Sequence, residues 1–501
     1  MNEPASTMTL LSLATLPELP SVVVRPGYDP RQAQVGILHL GIGAFHRAHQ
    51  ATVVDTMLAH DLRWGITGVS LKSPTAARLL GPQDGLYTVL QKSAEGTAAR
   101  VIGAVREVIF LGSDRAEVMA RFMDPRVRIV SLTVTEKGYC HDPASGRIDF
   151  DHAEIVHDLA HPEVPMSAPG LLVAGLAARR GVTSEPITVL CCDNLPHNGR
   201  IVEGIVLALA QSRDRGLADW IAEHVTFPST MVDRIVPATT DHDIVEAASL
   251  LGMTDAAPVV CEPYFQWVME DRFAGGRPAW EEAGVQFTDD VGLFETMKLR
   301  FLNGSHSTLA YLGFLMGHAF IWQASSDPDL GRLIERLMAG EVAPTVPPPP
   351  GIDLVRYQVQ LLARFRNPVL PHRTQQIAMD GSQKLPQRLL NPVRERLARD
   401  ASVAHLALAV AGWIRYASGT DEAGRPIAVA DPLAARFKSI AAAAAGDATA
   451  IANGFLDITA VFGEDLASHG EFRSAVTANV VSLFNRGAGS TVRAHLAKTR
   501  E

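Results

Sequence analysis

The chain has 501 residues, 47% of them hydrophobic and 20% charged, with a formal net charge of −9 at pH 7. That length is too great for one core and predicts at least two domains. A negative balance without any long basic run excludes a nucleic-acid surface, and no apolar run is long enough to span a bilayer.

The opening segment, MNEPASTMTLLSLATLPELP, carries acidic residues and prolines where an export signal needs a basic start and an unbroken apolar stretch. Cys140, Cys191, Cys192 and Cys261 form no CxxC pair and no disulfide-framework spacing. They read as buried thiols of a reducing compartment, which predicts a cytoplasmic protein. The first ordered element is a strand, VGILHLG (35–41), that breaks into GIGAFHRAHQ (41–50) and then into a helix through Val53, Val54, Met57 and Leu58. WGITGVSL (64–71) reads as a second strand, LYTVLQK (86–92) and ARVIGAV (99–105) as extended segments, and AEVMARFM (116–123) as an amphipathic helix. VRIVSLTV (127–134) is β-branched enough for a central parallel strand, and its loop is TEKGYC. Helical material near 170–180 precedes a last buried strand, ITVLCCDN (187–194).

This alternation predicts a doubly wound α/β sheet. Beyond about residue 290 the strand signals fade and helical patterns dominate, over 294–320, 327–340, 374–398, 401–417, 432–446 and 470–486. APTVPPPPG (343–351) is an extended spacer between helices. The expected organisation is α/β, with an N-terminal Rossmann-type NAD(P)-binding domain over 1–290 and a mostly α-helical substrate domain over 291–501.

A strand, a glycine turn and a helix are the parts of a dinucleotide site. Gly41 makes the tight turn, and Gly43 lets the backbone approach a pyrophosphate at the helix N-terminus. The third glycine of the usual pattern is replaced by His46. Gly41, Ile42, Gly43, Ala44 and Phe45 are the candidate cofactor contacts, with Ser70 at the end of the second strand. No carboxylate stands there to bind the ribose, so NAD and NADP both stay open. His39, His46 and His49 cluster in sequence, but the turn is expected to send them to different places, and the cysteines are scattered. No zinc set is expected.

KLRFLNGSHSTLAYLG (298–313) places Lys298, Asn303 and His306 among apolar residues of a helical pattern. At about 100° per residue these three fall at roughly 0°, 140° and 80°, with Glu295 at about 60°. The four share less than half the circumference, and Gly304 is the one residue able to bend that arc. A lysine desolvated in a cleft becomes a general base near neutral pH. It could take the proton from an alcohol as hydride leaves the carbon. Amide groups of Asn303, and of Asn194 at the end of strand 187–194, suit a developing alkoxide. His306 would bind substrate or hold Lys298. A buried polar network with no chemistry is the competing reading.

With these three residues, GIGAFHRAHQ, SLTVTEKGYC, CDNLPHNG and MVDRIVPAT in one order, the chain resembles the polyol-specific long-chain dehydrogenases, the mannitol dehydrogenase and fructuronate reductase family. The resemblance runs from about residue 30 to 490. It implies a metal-independent, NAD-linked reaction with Lys298 as general acid/base, Asn194 and Asn303 as the oxyanion hole and His306 as a substrate contact. It also implies accessory roles for Asp233 and Glu295 and a substrate contact for Lys384. HRTQQIAMDGSQKLPQRLL (372–390) adds Arg373 and Arg388, guanidinium groups fit to grip a carboxylate. This stretch is more similar to the fructuronate reductases than to the mannitol 2-dehydrogenases. The expected substrate is therefore a sugar acid, D-fructuronate to D-mannonate, with a polyol as runner-up and a silent nucleotide-binding sensor as the reading of another class. No nucleic acid or membrane partner is expected; monomer and homodimer are both open.

Overall fold

The computed structural model describes residues 8–142, 145–369 and 371–499. Residues 1–7, the start of the segment read above as lacking an export signal, lie outside them. The chain divides into two compact units, Met1–Gly292 and Leu293–Glu501.

The described residues of the first unit form twelve strands: β1 Val35–Leu40, β2 Gly65–Ser70, β3 Tyr87–Ser93, β4 Gly96–Ile102, β5 Val105–Phe110, β6 Ile129–Leu132, β7 Ile187–Cys191, β8 Val225–Thr226, β9 Thr230–Asp233, β10 Val259–Cys261, β11 Gln266–Met269 and β12 Gln286–Phe287. Six of them form a parallel sheet in the order β5-β2-β1-β6-β7-β8. The order reverses between β1 and β6, and such a switch point is where an open α/β sheet receives its ligand. Alternate residues of the central strands feed two cores. Leu38, Val130 and Val189 enter one face, and Ile37, Ile129 and Leu190 the other. Burial of both faces is why these strands read as continuous apolar runs.

The doubly wound sheet is as expected, but the unit is not one sheet. β3 and β4 leave it as an antiparallel pair joined by β10, and β12-β11-β9 make a third sheet. Strands β8 to β12 were not foreseen. They are two to four residues long, too short to establish a period of two. The four cysteines are buried, and none is in a disulfide.

The second unit is helical, and its centre is the helix Ala404–Ala417, buried from His405 to Ala417. A helix apolar on every side must be surrounded; this one packs on the helices Gly470–Arg486 and Gly304–Leu315. The helix Leu354–Phe365 is absent from the sequence expectation. Its outer face carries Val355 and Val359, 70% and 62% exposed, which blur the amphipathic contrast. Three stretches that lie in or run past the end of expected helices, Lys298–Asn303, Leu337–Val342 and Pro386–Leu390, are π-helical. Among the described residues no helix is long and apolar enough to cross a membrane.

Asp55 ties β4 and the segments beside it to the helix Gln50–Met57. Its carboxylate accepts from the Tyr28 hydroxyl at 2.8 Å, the Gly103 N–H at 2.8 Å and Arg100 Nη2 at 2.7 Å. Asp55→Ala strands these donors in a buried site and should cost about 3–5 kcal/mol. Urea denaturation of the variant would measure the loss.

Candidate active site

The glycine turn follows β1 at the switch point. Gly41 has φ +94°, a left-handed conformation, and a Cβ there would lie 2.2 Å from the Thr133 carbonyl oxygen. Only glycine is tolerated. Gly41 and Ile42 donate their N–H groups to the Val69 carbonyl, at 2.9 and 3.2 Å, which ties the turn to β2. A Cβ on Gly43 would meet nothing nearer than 3.8 Å, so the turn is open on that side. Ala44 and Phe45 begin the helix Ala44–Ala48. The Ser70 hydroxyl donates to the Ser73 carbonyl at the end of β2, and Lys72 beyond it pairs with Glu154 at 3.3 Å. This cradle fits a dinucleotide: an open backbone approach, a helix start, and a switch point.

Two loops that carry sequence motifs are fastened here by residues the sequence reading passed over. Asp193 accepts from the Val134 and Thr135 N–H groups at 2.8 and 3.0 Å and from the Tyr139 hydroxyl at 2.6 Å. It holds Thr135 at φ +68°, a conformation costly for a β-branched residue. Asn198 donates its amide to the carbonyls of Cys191, Asp193 and Thr230, at 3.1, 3.0 and 2.9 Å. Both residues lie in the CDNLPHNG motif on either side of Asn194, so their polar character in that motif was the available signal. Asn194 is exposed on the loop that these bonds position, and Asp233 is buried at the end of β9.

His39, His46 and His49 are all buried. The expectation that they diverge is wrong for His39 and His46, whose rings stack with centroids 3.3 Å apart. The chain reverses at Gly41 and folds the helix back over the end of β1. Among the described residues one cluster has metal-like spacing, His242, Asp243 and Glu246. Its carboxylates are already bridged by the Lys92 ammonium, at 2.5 Å to each.

In the second unit Lys298 is 8% exposed, Glu295 and His306 9%. The regular-helix angles do not hold. Lys298–Asn303 is a π segment in which the Gly304 N–H reaches the Leu299 carbonyl, five residues back. A turn widened by one residue narrows the angle between Lys298 and Asn303, which a regular helix sets far apart. Gly304 keeps the helix continuous and serves packing instead: its absent Cβ would lie 3.0 Å from the Arg388 carbonyl oxygen. Arg300, in the same stretch, is taken up by Glu395 at 2.5 Å.

His306 stacks on Phe365, with centroids 5.4 Å apart, and lies 5.6 Å from the His372 ring. Its Nε2 is buried and has no hydrogen-bond partner among the described residues. A buried orphan nitrogen is costly unless a ligand completes it. Burial holds His306 well below the ordinary imidazole range, and the charges acting on it all push the same way: His372, Arg388, Arg364 and Lys384. Arg388 is fixed by a 3.1 Å bond from its Nη1 to the Ser307 hydroxyl oxygen. Lys384 is half-buried, whereas Arg373 is exposed. The Arg373 guanidinium lies over Phe320, 5.4 Å from the ring centroid. The structure thus gathers His306, Lys384 and Arg388, adds Arg364, Phe365 and His372 to them, and leaves Arg373 on the surface.

Residues 35–282 match the mannitol dehydrogenase Rossmann domain and residues 290–484 the mannitol dehydrogenase C-terminal domain. The chain is 48% identical to the D-mannonate oxidoreductase of Escherichia coli over 477 residues, covering 94% of this chain and 98% of that one. It is 49% identical to the uncharacterized oxidoreductase YeiQ of the same organism over 461 residues, 91% and 94% of the two chains. The Pseudomonas fluorescens mannitol 2-dehydrogenase, in its ternary complex with NAD and D-mannitol, superposes with a TM-score of 0.88. It is 38% identical, over 98% of this chain and 100% of that one.

Burial holds His39 at a pKa of about 3 and His372 at about 4, and lowers His46 and His306 as well. The unfolded chain takes up these protons as pH falls through about 6.5, and the folded chain does not. Stability should therefore be full above about pH 7 and fall from pH 6.5 toward 4, by up to about 1.4 kcal/mol per pH unit for each histidine. Urea midpoints across that range would check this; a flat profile would contradict it.

Proposed function

This chain belongs to the mannitol dehydrogenase family, oxidoreductases acting on CH–OH groups, and we propose that it interconverts D-fructuronate and D-mannonate with NAD and without a metal. The observation that carries the choice of a sugar acid is the set of charges around His306. Arg388, Arg364 and Lys384 all raise the positive potential there, and a carboxylate is the substrate group that such a place favours. The similarity to a D-mannonate oxidoreductase supports the same choice. We assign the carboxylate to Arg388, whose guanidinium is held beside the site by Ser307, in preference to the exposed Arg373.

The Gly41–Phe45 turn would hold the pyrophosphate of the cofactor, whose reduced nicotinamide would supply hydride for the ketone carbon. NAD is preferred to NADP by analogy with the P. fluorescens complex. In the reductive direction the Lys298 ammonium donates a proton to the ketone oxygen as the C–O double bond becomes single, and in the oxidative direction the neutral amine takes it back. The Asn303 amide donates to the same oxygen, and Asn194 is assigned the second donation on family resemblance. His306 is held neutral, so its Nε2 serves as a hydrogen-bond partner for a substrate hydroxyl and not as a charge. Glu295 and Asp233 are assigned accessory polar roles on family resemblance.

The test is NADH oxidation with fructuronate and with fructose at equal concentration. We expect kcat/KM to favour fructuronate by at least about a hundredfold, the worth of one charge-assisted contact of about 3 kcal/mol. Arg388→Met should remove most of that preference through KM for fructuronate and spare fructose; Arg373→Ala should not. Equal rates with the two sugars would support the polyol reading. NADH binding without turnover on either would support a sensor.

A further inference from the structure

A buried imidazole has work under the glycine turn that the reaction itself does not use. His39, the penultimate residue of β1, has no exposed surface. Its Nδ1 is 2.8 Å from the Ser131 hydroxyl on β6, and its Nε2 is 2.9 Å from the Thr133 hydroxyl and 3.3 Å from the Gly41 carbonyl oxygen. The Thr133 hydroxyl donates to that same carbonyl at 2.9 Å. A carbonyl only accepts, so the direction of every bond is fixed. Ser131 O–H donates to Nδ1, Nε2–H donates to Thr133 Oγ1, and Thr133 O–H donates to the Gly41 oxygen. The relay needs a neutral ring with the proton on Nε2, and burial keeps the ring neutral.

The chain departs from the usual glycine pattern at this place. The third glycine ordinarily allows the helix to pack closely on the strand, and here His46 stands there with its ring stacked on His39 at 3.3 Å and 13°. Two flat rings fill the space between strand and helix, and the relay fastens the carbonyl at which the turn begins. Gly41 sits at the switch point in a left-handed conformation that no side chain can stabilise, so its orientation has to be imposed from outside. We propose that His39, with Ser131 and Thr133, is a positioning residue that sets the cofactor turn for NADH. This rests on the reading of the turn as a nicotinamide-cofactor site.

The experiment is fluorescence titration of NADH onto the full-length protein, with thermal midpoints recorded alongside. His39→Leu keeps the bulk and removes the relay, and Thr133→Val removes its last hydroxyl at nearly constant shape. Each should raise Kd for NADH about tenfold, with the loss falling on Kd and KM for NADH more than on kcat. Their double variant should lose no more than the worse single one, because one chain of bonds is cut once. His39→Gln, which can still donate from its amide, should recover part of the affinity. A lowered midpoint with Kd unchanged in both single variants would make His39 a packing residue and overturn the proposal. If the unaltered protein binds neither NADH nor NADPH, the functional reading falls first; if it binds and the variants match it, only this inference falls.

Discussion

An amine kept from water inside a widened helical turn is the constraint on which the second unit is organised. Lys298 is 8% exposed in a segment whose backbone bonds span five residues. A regular helix would set Lys298 and Asn303 far apart; the π turn narrows that angle. Such an insertion costs helical hydrogen-bond quality and persists where packing over-determines it. The packing is visible: Gly304 leaves room for the backbone of Arg388, and Arg388 belongs to a second π segment, Pro386–Leu390. The two irregular turns are fitted to one another.

Electrostatics then separates chemistry from recognition. The imidazole of His306 is neutral because it is buried among cations, which suits a hydrogen-bonding role and makes it a poor proton donor. The positive potential around it favours an anion, and in the proposed reaction the proton chemistry belongs to Lys298. In the first unit Asp193 and Asn198 use side-chain hydrogen bonds to hold the loops after β6 and β7, a division in which loops carry function and strands carry stability.

Much of this was legible in the residues. The buried parallel strands announced themselves as apolar runs, and the glycine turn after β1 marked the switch point. The polar residues of KLRFLNGSH were conspicuous because burying them demands a partner. What could not be read was geometry that depends on partners distant in sequence. The π segment at Lys298–Asn303 has no propensity signature, and the Arg388 backbone packed against Gly304 beside it comes from a stretch distant in sequence. The stacking of His39 on His46 follows from the reversal at Gly41. Arg373 and Arg388 look equivalent in sequence, yet one lies over Phe320 on the surface and the other is bonded to Ser307. Tertiary placement, not residue type, distinguishes them.

The central claim is that the sheltered ammonium of Lys298 supplies the proton. It is tested most directly by Lys298→Ala, assayed for NADH oxidation with fructuronate while NADH binding is titrated in parallel. The account predicts binding within a few-fold of the unaltered protein and turnover reduced by about 10²–10⁴. Turnover retained within tenfold, with binding intact, would contradict it.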